Sequence, residues 1–206
     1  MGKNRETSRR GLGLLASALL LAASMAAVLV APGRTRADRT VSAGLFPAFY
    51  LLDGDYFGMD TGIGTDLVVR YEVVTGLYIE NRLGGYSSSQ DGSSVTGING
   101  QLGVTAILPY LIPWRPSVRL AGALLTMNPV ISEPVTSFRP SQTVFYLVGG
   151  AGITRILRGR FQVEFGADLM LTPYTYRIYD FHRQYVDTKE ARFAHLSFSL
   201  GLMYSF

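Results

Sequence analysis

Cysteine is absent from the 206 residues, and histidine occurs only twice, at His182 and His195. Disulfide frameworks and thiolate chemistry are therefore excluded, and a structural zinc site would have to be mostly carboxylate. No cofactor is expected. Lysine is scarce as well: beyond residue 37 only Lys189 remains. The formal net charge of +4 misleads until it is divided. Lys3, Arg5, Arg9, Arg10, Arg34 and Arg36, with the single acid Glu6, lie in residues 1–37, whereas residues 38–206 hold 13 bases and 14 acids. The body of the chain thus lacks a basic excess, and no nucleic-acid partner is expected.

What the body has in abundance is alternation. Residues 192–206, RFAHLSFSLGLMYSF, place Ala194, Leu196, Phe198, Leu200, Leu202, Tyr204 and Phe206 at every second position. His195, Ser197, Ser199, Gly201 and Ser205 stand between them. A period of two is strand geometry, with one apolar face and one small or polar face. Seven further strands are predicted at 41–52, 62–73, 77–86, 98–108, 117–127, 143–154 and 161–172. Pro47 marks a bulge or kink in the first. Gly149-Gly150 interrupts the sixth and leaves its facing open.

The connections alternate in character. Longer polar loops come after the first, third, fifth and seventh strands: GDYFGMDTG, SSSQDGSSVTG, NPVISEPVTSFRPS and DFHRQYVDTKEA. The SSSQDGSSVTG stretch is polar enough to be an exposed loop. The fifth-strand loop carries three prolines and is excluded from central strand. Shorter turns come after the second, fourth (PYLIPWRP) and sixth strands.

Eight alternating strands with this loop asymmetry resemble the small OmpA/OmpX-type barrels of the bacterial outer membrane. The resemblance implies an all-β, eight-stranded antiparallel up-and-down transmembrane barrel over residues 38–206, set in outer-membrane lipid and lipopolysaccharide. It also implies that Phe206, with Phe198, Leu200, Leu202 and Tyr204 before it, is the signal read by the barrel assembly machinery. A monomer is expected. The start of the chain fits that route. MGKNRETSRR, an apolar run from Leu12 to Ala31 and Thr35-Arg36-Ala37 before Asp38 form a cleavable signal peptide over 1–37. The run is close to the length that spans a bilayer, so an uncleaved anchor is the rival; such an anchor would hold a barrel at the inner membrane. Ser8-Arg9-Arg10 reads as ordinary basic charge.

Charge separates this barrel from a soluble, lipocalin-type one. Asp66, Arg70, Glu72, Glu80, Arg82, Arg119, Glu164 and Asp168 occupy the less apolar face of their strands. A basic side chain on the lipid face costs about 2–4 kcal/mol at mid-bilayer. The set is therefore expected in the lumen, as a network of arginine–carboxylate pairs filling a barrel just wide enough for its own side chains. Tyr71, Tyr86, Tyr110, Trp114, Tyr174 and Tyr204 lie near strand ends, where interfacial girdles form.

Two motifs carry chemistry. His195-Leu196-Ser197 resembles the His-x-Ser pair of an outer-membrane lipid A deacylase family, but faces the lumen in this register and has Phe198 where that family has asparagine. Tyr174, Tyr176, Tyr179, Phe181, His182 and Tyr185, beside Arg177 and Arg183, suit a partner or glycan, or a strand pair rising above the membrane. The expected role is structural or surface-binding, without catalytic residues. The alternatives are a lipid-A-modifying enzyme and a narrow small-solute channel.

Overall fold

A computed structural model describes residues 40–52, 60–90, 93–108, 113–130, 142–157, 160–173, 176–182, 185–191 and 194–206. The predicted signal peptide lies outside them. The strands are β1 (Val41–Leu52), β2 (Thr61–Val74), β3 (Leu77–Gln90), β4 (Ser93–Ile107) and β5 (Trp114–Val130). They continue as β6 (Gln142–Ile156), β7 (Phe161–Leu171), β8 (Tyr176–His182), β9 (Tyr185–Ala191) and β10 (Ala194–Ser205). Eight of them close an antiparallel barrel in the order β1-β10-β7-β6-β5-β4-β3-β2, and β8 pairs with β9 as a separate hairpin.

The registers fix the barrel's width. Stepping from partner to partner, Val41 leads through Tyr71, Ile79, Val104, Leu120, Gly149, Leu169 and Leu196 to Leu51. One circuit thus displaces the start by ten residues along β1. With eight strands and that stagger, the strands tilt by about 40°, which leaves room inside for side chains and little else.

Several local expectations are corrected. Ser87–Gln90 and Ser93–Gly97 are strand, paired down to Gln90↔Ser93, where a loop was expected. Ser88 and Val95 point inward and are buried, so the alternation runs on through the serines. β5 likewise continues through Asn128, Pro129 and Val130. Beyond Met127 it pairs only with β4 among the described residues, so Pro129 sits on an edge, where the missing N–H is tolerated. Pro47 produces no bulge: the β1–β10 register is the same on either side of it, with the ladder omitted at residues 46 and 47. Nor do Gly149 and Gly150 interrupt β6, whose alternation is continuous from Val144 to Thr154. Gly76, at φ 80°, makes the tight turn between β2 and β3.

The two faces have opposite chemistry. Leu45, Phe49, Leu51, Ile63, Leu67, Leu120, Leu147, Phe165, Leu169, Leu200 and Leu202 are exposed on the outside, while charged side chains are buried within. This is the polarity of a membrane barrel. At the end where β1 begins and β10 ends, Phe161, Tyr204 and Phe206 stack edge to face with centroids 5.1–5.2 Å apart. Trp114 carries the Arg155 guanidinium 5.2 Å over its ring. These are the aromatic girdle and a snorkelling cation. Tyr86 does not belong to that girdle: it is 4% exposed and points into the lumen. Tyr110 and Tyr174 lie outside the described residues.

Candidate functional site in the lumen

The interior has two layers. Toward the short turns, Glu80 is the hub of an ion network. It accepts hydrogen bonds from Arg70 Nε at 2.5 Å, Arg82 Nε at 2.5 Å and Arg119 Nη1 at 3.2 Å. Thr105 Oγ1 donates to it at 2.8 Å. Arg70 reaches across to Glu164 through both terminal nitrogens, at 2.5 and 2.8 Å. Asp168 takes Arg119 at 2.6 Å and Arg82 at 3.3 Å. Thr154 completes Glu164 and Gln101 completes Arg119. All six charged groups are at most 5% exposed.

This arrangement comes from the alternation. Arg70 stands on β2, Glu80 and Arg82 on β3, Arg119 on β5, and Glu164 and Asp168 on β7, so the pairs tie walls far apart in sequence. Such a network holds because each charge has several partners; stripped of one, a buried ion pair loses more than it gives. Inward glycines make the space. A Cβ at Gly150 would meet the Asp168 carboxylate, and one at Gly201 would meet the Phe46 ring, over which Arg82 lies at 5.2 Å. Among Arg70, Arg82, Thr105, Ser117, Arg119, Glu164 and Asp168 a space of about 10 Å³ remains, room for roughly one water molecule.

Two predicted members stand apart. Glu72 is only half-buried and sits at the short-turn mouth. There it accepts from Thr40 Oγ1 at 2.6 Å, the Gly76 N–H at 3.1 Å and Tyr78 at 3.3 Å, and so ties the start of β1 to the β2–β3 turn. Asp66 is 3% exposed, yet no arginine lies within ion-pair distance of it among the described residues.

Toward the long loops the lumen turns apolar, which the alternation did not suggest. Val95, Leu125, Met127, Val144, Tyr146, Val148 and Met170 pack there with Ala48, Tyr50, Leu52 and Tyr86. His195 joins this layer, its ring 5.2 Å from that of Tyr146 and 6.4 Å from that of Tyr86. Ser197 is 4% exposed and pairs across with Asp168, whose carboxylate is taken by arginines. The lipid-facing neighbours on β10 are Leu196, Phe198 and Leu200. Of the expected assembly-signal residues, Leu200, Leu202 and Phe206 are exposed and Phe198 and Tyr204 half-exposed, all on the outward face. The side chains of the β8–β9 aromatic set lie outside the described ones.

No family model matches the chain, and no curated protein matches it in sequence. Solved structures do share its fold. Neisserial surface protein A (NspA) aligns with a TM-score of 0.60 at 12% identity, over 82% of this chain and 97% of its own. Ail of Yersinia pestis, the attachment invasion locus protein, was solved with the heparin analogue sucrose octasulfate. It aligns with a TM-score of 0.55 at 12% identity, over 82% of this chain and 99% of its own. OprG from Pseudomonas aeruginosa gives 0.55 at 12% identity, over 82% and 95%. At these identities the likeness is one of architecture.

Proposed function

We propose that this eight-stranded barrel of the outer-membrane type is a closed scaffold that carries surface-binding segments at its long-loop end. The observation that supports it most is the lumen itself, crossed by the Glu80-centred ion network and, above that, by a packed apolar layer. A solute path would have to break several buried ion pairs at once. The barrel also extends well beyond what spanning requires. A transmembrane strand needs about 9–11 residues, whereas β3, β4 and β5 have 14, 15 and 17. Their surplus lies at the long-loop end, where the outward face changes from Ile98 and Leu124 to Ser87, Ser89, Thr96 and Thr143. The β8–β9 hairpin rises from the same end, between β7 and β10.

Attachment is the task that the name of Ail gives to a barrel of this architecture. A lipid-A-modifying enzyme fits less well, because His195 and Ser197 are buried in the lumen, away from acyl chains. In this reading residues 1–37 are removed on export and the mature chain begins at Asp38; intact mass of membrane-extracted protein checks that. The role is tested by displaying the protein on a non-adherent bacterium and comparing binding to host-type surfaces with a variant lacking residues 176–191. Binding that falls to background in that variant, with the barrel still assembled, is expected. Equal binding by both, or none by either, would overturn the surface-binding reading.

A further inference from the structure

The buried charges of the lumen do not balance. Among the described residues four buried carboxylates, Asp66, Glu80, Glu164 and Asp168, face three buried arginines. Each arginine pairs with at least two of the last three acids, and Asp66 is the remainder. Its surroundings are unusual. Asp66 on β2, Gly84 on β3 and Asn99 on β4 lie side by side in register. The Asp66 carboxylate leans over Gly84, into the space a Cβ there would fill. The Asn99 side chain is its hydrogen-bonding neighbour. That leaves Asp66 Oδ1 and Asn99 Oδ1 without hydrogen-bond partners; the Tyr86 hydroxyl also lacks one, while the Tyr50 hydroxyl lies against the Asn99 amide. Each of these four residues is at most 4% exposed. The Tyr50 and Tyr86 rings stand 5.1 Å apart, and His195, the remaining basic side chain of the layer, lies beyond Tyr86.

We propose that this is a binding site for one monovalent metal cation of the sodium type. A buried carboxylate with no cation in direct contact is costly, and so is each unpaired oxygen acceptor. Oxygen ligands without nitrogen or sulfur select hard cations, and a single carboxylate suits a single positive charge. Asp66 and Asn99 supply the charged and the amide oxygen, and the Tyr50 hydroxyl, on which the Asp66 charge acts, adds a neutral oxygen from the apolar side. A cation there balances the buried charges of the lumen and links β1, β2 and β4.

The test uses the refolded barrel in micelles, with thermal unfolding monitored at constant ionic strength as sodium replaces N-methyl-D-glucamine. The midpoint rises with sodium and reaches a plateau, and the Asp66→Asn variant, which still assembles, shows no sodium dependence. Thallium(I), used as a heavy sodium substitute, gives an anomalous peak between residues 66 and 99 in crystals of the wild-type protein. A midpoint indifferent to sodium but raised by acid in wild type and not in Asp66→Asn would mean that a proton neutralises Asp66, and would overturn the metal site. Absence of both dependences, with no thallium peak, would overturn it equally. Should Asp66→Asn fail to assemble, Asn99→Leu serves in its place, with loss of the sodium response expected.

Discussion

Glu80 receives three arginines and a threonine, so its removal strands several buried charges at once. Leaving one member of a buried pair uncompensated typically costs about 3–5 kcal/mol. Arg82→Ala, which deprives both Glu80 and Asp168, is expected to fall in that range by urea unfolding in lipid, whereas Ser87→Ala on the outer face changes stability by less than about 0.5 kcal/mol. Gly150→Val should prevent the barrel from closing, since its side chain would displace the Asp168 carboxylate; the readout is loss of the heat-modifiable band on unboiled gels. The facing of these charges was legible in the sequence, because a lipid face rejects them. Who pairs with whom was not. Glu72 and Asp66 alternate as well as Glu80 does, and only the register sends one to the mouth and leaves the other without an arginine.

At the scale of elements, β10 closes the barrel against β1, and the amide that follows it, that of Phe206, donates to the Val41 carbonyl at 2.8 Å. Unpaired edges cannot persist in lipid, so the closing strand is the one whose loss exposes most backbone. Phe206→Asp places a charge in the aromatic girdle beside Tyr204. Assembly is expected to stop, seen as a protease-sensitive form without heat modifiability; wild-type levels of the folded band would contradict this. Among the described residues β8 and β9 pair only with each other, so deleting residues 176–191 should leave the folded band unchanged. The strand centres were readable from period-two patterning, but the ends were not. Serines at 87–89 and 93–94 and a proline at 129 carry turn-like composition, and their neighbours' pairing outweighs it.

For the whole molecule, the count of eight barrel strands and the inside-out polarity could be read from the chain, because membrane and lumen impose opposite chemistries on alternate residues. The apolar upper lumen could not. On β6, inward Val144, Tyr146 and Val148 alternate with outward Phe145 and Leu147, and two apolar faces give no contrast to read. That layer, set above the ion network, supports the proposed closed scaffold. Single-channel recording of the purified protein in planar bilayers addresses this most directly. The wild-type barrel should give no steady unitary current at neutral pH, and Arg82→Ala and Arg119→Ala should unfold more readily without opening one. Regular, reproducible conductance steps from wild-type protein would contradict the closed scaffold and make the lumen a channel.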